Sequence, residues 1–137
     1  MTTTYSAEQT IVNAGTLLGA NIWDSKLRVF QATITLASQP IADVIELMII
    51  PKEYRFICGL INSTVTLGSA TLAIGTSTTT GLYRTAATFT ATNTPTLFGN
   101  NAAITTATAD TQVQALVAAD ALPASGTVKI HILCSAV

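Results

Sequence analysis

From Phe30 onward the chain alternates. Phe30, Ala32, Ile34 and Leu36 are apolar, while Gln31, Thr33 and Thr35 are polar. A period of two predicts a strand with one dry and one wet face. Residues 37–40 (Ala-Ser-Gln-Pro) break it. Residues 44–50 are apolar on both parities apart from Glu46, which predicts a strand covered on both sides. Pro51-Lys52-Glu53 turns the chain into a long β-rich run, residues 54–67, where Gly59 predicts a bulge or a close backbone approach. Gly68-Ser69 reads as a two-residue hairpin turn, residues 70–74 as the next strand, and residues 76–81 as a Thr/Ser loop. Residues 82–92 form another strand region, with Tyr83, Ala87 and Phe89 on one parity. Residues 93–110 form a long excursion that pins Phe98 into the core. Val113, Ala115 and Val117 alternate with Gln112 and Gln114. After a turn at residues 123–126, Val128, Ile130, Ile132 and Cys134 share one face, and Lys129 and His131 take the other.

The pattern totals about seven to eight strands at roughly ten-residue spacing, with turn residues between them. That is an all-β chain, an antiparallel β-sandwich of jelly-roll-like kind. An Ala-rich stretch, residues 115–122, competes as a helix; it is short, and the Gln/Val alternation before it favours a strand. Residues 1–26 show neither period, and Gly15 and Gly19 interrupt their mild apolar segment. The chain therefore divides into an extended N-terminal arm, 1–26, and a sandwich domain, 27–137. Tyr5, Ile11 and Trp23 in the arm are the candidate partner contacts: the rings of Tyr5 and Trp23 give large contact area with a polar tip, and Trp23 can equally cap the bottom of the chain's own core.

Composition narrows the function. Of 137 residues, 25 are Thr and 21 are Ala; charged residues are only 9%, the net charge is −1 and the mean hydropathy is +0.51. High hydrophobicity with little charge argues against disorder. The missing basic footprint argues against nucleic acid as a partner. No uncharged apolar stretch reaches the ~18 to 20 residues of a membrane span, and no basic segment leads an apolar run at the start. A soluble protein made in a cytoplasm is expected. Between Arg84 and Asp110 there is no ionisable side chain. Monomers protect strand edges with charge, so this bare stretch is expected to be buried between subunits of a closed homo-oligomer.

Chemistry-bearing residues are sparse. His131 is the single histidine, and the alternation places it on a surface face. An enzyme would need it buried beside Cys58 or a carboxylate. Cys58 and Cys134 both sit in apolar strand-like runs, as reduced core thiols or as a bridge if their strands are neighbours. The acids are scattered singly, and neither a Cys-x-x-Cys nor a His pair occurs. No catalytic, cofactor-binding or metal-ligating residue is assigned, and no cofactor is expected.

The run Ile50-Pro51-Lys52-Glu53-Tyr54-Arg55-Phe56 and the run Leu67-Gly68-Ser69-Ala70-Thr71-Leu72-Ala73-Ile74-Gly75-Thr76 resemble small virion proteins of tailed bacteriophages. Tyr83-Arg84-Thr85-Ala86-Ala87-Thr88 and the ending Leu122-Pro123-Ala124-Ser125-Gly126-Thr127-Val128-Lys129-Ile130-His131-Ile132 share the likeness, which covers residues 40–134. Such proteins decorate or cement the outside of the capsid. The resemblance implies a β-sandwich or jelly roll, a place on the virion surface, and no catalysis. Its partners would be the major capsid protein and further copies of itself, as a trimer or dimer. Another virion component, such as a tail or fibre module or a minor coat subunit, is the alternative. A carbohydrate-binding module is a third reading, and wants aromatics exposed on a sheet face.

Overall fold

A computed structural model describes residues 26–136. Eight strands follow in chain order: β1 (Leu27–Thr35), β2 (Val44–Ile50), β3 (Tyr54–Ser63), β4 (Thr71–Gly75), β5 (Arg84–Thr88), β6 (Thr96–Phe98), β7 (Thr111–Ala118) and β8 (Thr127–Ala136). A single 3-10 turn, Asn101–Ala103, interrupts them, capped by the Asn100 side chain on the Ala102 amide. The Ala-rich stretch after residue 115 continues β7 and then turns; Val113, Ala115 and Val117 are fully buried and Gln112 and Gln114 face out, as the alternation predicts.

The strands form two four-stranded antiparallel sheets, ordered β1-β8-β3-β6 and β2-β7-β4-β5. Pairing is nested: β1 with β8, β2 with β7, β3 with β6, β4 with β5. The chain thus behaves as one long hairpin rolled up on itself, which is the jelly roll the strand pattern anticipates. Only the innermost connection, β4 to β5, is a hairpin within one sheet; the others cross between sheets. Gly68-Ser69 is therefore a correction. Gly68 takes φ +64° and the Ala70 amide reaches the Leu67 carbonyl, but this turn carries the chain from β3 in one sheet to β4 in the other. Turn residues specify reversal, not which sheet receives the next strand.

Inward-facing Ile61, Ile130, Ile132, Leu72, Ile74, Val113 and Val117 fill the space between the sheets with negligible exposure. β-branched side chains dominate because they pack well on a pleated surface. Two features shape the outer parts of this core. β3 bulges between Phe56 and Cys58, where its register against β8 shifts. Two residues later, Gly59 leaves room for the Phe98 ring of β6: an added Cβ would come within 2.2 Å of it. Gly59 is thus a close-approach glycine beside a bulge, and the excursion does pin Phe98 against the core.

Two expectations fail. β2 is not covered on both sides: Val44 and Ile49 are 47% and 55% exposed, because β2 ends its sheet and only one of its faces meets the core. Ala87 does not join Tyr83 and Phe89 inside; it stands opposite core Leu72 yet is exposed, because β5 ends its sheet.

Candidate interaction surfaces

The outer face of the β1-β8-β3-β6 sheet can be mapped row by row from the register. One row reads Thr33, Lys129, Asn62; the next Gln31, His131, Leu60, Leu97; then Val29, Leu133, Cys58; then Leu27, Ser135, Arg55. Leu27, Val29 and Leu97 are 61%, 57% and 70% exposed, with bulged Ile57 beside them. The middle of this face is therefore an apolar band, with cations toward both ends. The strands of this sheet carry Arg28, Arg55 and Lys129 and no acid. Arg28 lies 5.8 Å over the Tyr54 ring, which itself meets Phe30 edge-on.

The second sheet presents a different face. Its β2–β7 half pairs Val44 with Leu116, Glu46 with Gln114 and Ile49 with Gln112, all pointing outward. The carboxylate of Glu46 is exposed, and Asp43 precedes the strand. The β4–β5 half is covered by the chain's own loop: a Cβ on Gly75 would meet the carbonyls of Thr79 and Thr80. Arg84 holds this half together. Its guanidinium donates to the carbonyls of Leu72, Ala87 and Thr88, and burial pulls its pKa below the usual arginine value.

The remaining titratable groups serve the scaffold. Asp110 accepts from the Lys52 amide at 2.9 Å. Asp120 accepts from the Ser69 hydroxyl at 2.7 Å and the Ala121 amide at 2.8 Å, which lower its pKa in that order. Cys134 is wholly buried, and burial pushes its thiol up to about 11. Burial, and then the charge of Cys134, raise Tyr83, whose ring packs on Phe56 at 4.7 Å. Both cysteines are free: Cys58 stands opposite Leu133 on the outer face and Cys134 faces the core, so the two thiols lie on opposite sides of one sheet. His131 shares the outer face with Cys58, and among the described residues no hydrogen bond joins it to Cys58 or to a carboxylate. No group of three or more metal-ligating side chains converges among the described residues. A cavity of about 190 Å³ at the end of the sandwich is lined by Tyr54, Phe56, Tyr83 and backbone of the 103–108 loop, with no charged group. The six described aromatics are buried or half-buried, so none offers the open ring platform a sugar would stack on.

Tyr5, Ile11 and Trp23 lie outside the described residues. The apolar surface that is seen comes instead from Leu27, Val29, Ile41, Val44, Ile49 and Leu97. Sequence reasoning passed over most of these because a strand's apolar run does not reveal which of its faces is left open. Among the described residues, no helix is long and apolar enough to cross a membrane.

No family model matches the chain, and no curated protein does. Solved structures do. A chain in the cyanophage Pam1 capsid asymmetric unit superposes with a TM-score of 0.69 at 16% identity, over 82% of this chain and 86% of that one. One in the capsid of Ralstonia phage GP4 gives 0.66 at 19%, covering 82% and 85%. One in the acidic stable capsid structure of Helicobacter pylori bacteriophage KHP30 gives 0.63 at 15%, covering 81% and 88%. At these identities the shared property is the fold. The coverage is nearly equal in both directions, so these are chains of similar length to this one.

Proposed function

We propose that this chain is a structural virion protein, a decoration or cement protein that binds the outer surface of a phage head and stabilises it. The observation that carries the reading is the match of about four fifths of the chain to chains of similar length in three phage capsid structures. The physical character fits. The described residues bring together no cluster of acid–base or metal groups, while the sandwich leaves large apolar side chains open on two outer faces. Contiguous exposed apolar surface marks a docking surface.

In this reading the chain acts without catalysis, and its partners are the major capsid protein and its own copies. Residues 1–26 act as an arm over the shell, with Tyr5, Ile11 and Trp23 as its contacts, and residues 27–137 form the body. Addition of an extended arm to a sheet edge supplies backbone hydrogen bonds without sequence-specific chemistry. Quantitative mass spectrometry of purified particles tests it. Hundreds of copies per particle are expected; a handful would point to a tail or fibre component, and absence would end the proposal.

A further inference from the structure

The two outer faces differ in charge in a way that selects how copies meet. The β1-β8-β3-β6 face has Arg55 and Lys129 around its apolar band and no acid on any of its strands. The free β2–β7 face has Glu46, with Asp43 at its end, among Val44, Ile49 and Leu116, and its two strands carry no base. Docking either face on itself in a two-fold pair sets like charges together in a desolvated contact, which costs free energy. Docking one face on the other sets cation against acid and apolar band against apolar band.

A second observation sharpens this. The Asn62 side-chain oxygen is buried and has no hydrogen-bond partner. The residue lines a recess of about 350 Å³ together with Thr64, Asn93, Thr127 and Lys129. Asn62 is the cross-strand neighbour of Lys129. On the other face, Glu46 is the cross-strand neighbour of Gln114, whose amide makes no hydrogen bond among the described residues. Both pairs are therefore spaced by one strand separation, about 5 Å. Lys129 beside the Asn62 amide offers a cation; Glu46 beside the Gln114 amide offers an anion at the same spacing.

We propose that copies of this chain associate head to tail, with the Lys129–Asn62 side of one copy seated on the Glu46–Gln114 side of the next. Such a contact uses two different surfaces, so repetition closes a ring or runs on as a filament. The three long strands of the basic face span roughly 15 Å by 30 Å, about half of the ~800 Å² per partner that a stable interface buries. The contact therefore extends onto β6, where Leu97 stands 70% exposed. This rests on the reading that the chain works as an assembly of identical copies.

Sedimentation velocity on the full chain from 1 to 100 µM tests it. The wild type is expected to associate, more strongly at low salt. Lys129→Glu and Glu46→Lys are each expected to weaken association about tenfold or more. The double variant, and an equimolar mixture of the two single variants, should recover it. Gln114→Ala should weaken it less, and Asn62→Ala added to Gln114→Ala should cost nothing further. All positions are on outer faces, so melting temperature and far-ultraviolet circular dichroism should stay unchanged. A wild type that is monomeric at 100 µM overturns the proposal. So does association that survives each single charge reversal undiminished, or a double variant that stays dissociated. A chain found abundantly on virions yet monomeric in solution would sink this inference alone; one that associates but is missing from virions would sink the proposed function alone.

Discussion

The flank made by β1 and β2 and the flank made by β5 and β6 are built on opposite principles. β1 and β2 close the same side of the sandwich and touch across it. They are nine and seven residues long, and they carry charge (Arg28, Glu46) beside large exposed apolar groups, Leu27, Val29 and Val44. β5 and β6 are five and three residues long, and the stretch from residue 85 to residue 109 holds no ionisable group. Yet most of what that stretch exposes is Thr and Ala. Absence of charge and presence of adhesive surface are thus separate properties. Small β-compatible side chains make a neutral flank whose edges are protected by brevity and whose large open side chains are Leu97 and Ile104, while the charged flank opens Leu27, Val29, Val44 and Ile49.

The strongest way to break the comparison is through the neutral flank's anchor. Phe98→Ala should cost about 3 kcal/mol in chemical denaturation, because the ring is the main apolar tie between β6 and the core. Gly59→Ala should cost somewhat less by driving the same ring out. An unchanged melting curve for both would show that the flank is held by something else. Next, Arg84→Ala removes three charged donations to carbonyls of β4 and β5. A loss of about 2 kcal/mol is expected, with hydrogen exchange accelerating in β5 ahead of β1.

The two cysteines separate inner from outer faces. Cys134 has its thiol raised from 9.0 to about 11, so the folded state keeps a proton that the unfolded state gives up. Stability is then full below pH 9 and falls as pH rises toward 11, by roughly 2 kcal/mol. Cys134→Ala should flatten that slope in urea titrations. Under mild alkylation the native chain should take up label at Cys58 and none at Cys134. The smallest effect on folding, below about 0.5 kcal/mol, is expected for Val29→Ser combined with Val44→Ser. That pair should nonetheless abolish concentration-dependent sedimentation, while Thr85→Ser with Ala86→Ser leaves it untouched.

The sandwich was legible because burial on one side writes a period of two, which β1 obeys from Phe30, β7 from Gln112 and β8 as far as Cys134. Phe98 was legible as the lone large aromatic in a polar excursion, and Gly59 as a glycine inside an apolar run. What the pattern could not carry was assignment to a sheet. Gly68-Ser69 marks a reversal whether the chain returns alongside itself or crosses over. The exposed half of β2 was hidden for a related reason: Val44 and Ile49 look like core until the strand is known to end its sheet. Arg84 gave no signal, since its partners are backbone carbonyls.

The nested pairing also sets how load passes through the protein. Leu27 stands opposite Ser135, and the Ala136 amide bonds to the Lys26 carbonyl, so the first and last strands start and finish at one corner. Tension applied between those two points would peel β1 from β8 like a zip, breaking perpendicular hydrogen bonds one after another. Pressure spread over the sheet faces meets the whole packed core at once. A module built this way withstands force that arrives broadside, and gives way when it is pulled by its ends.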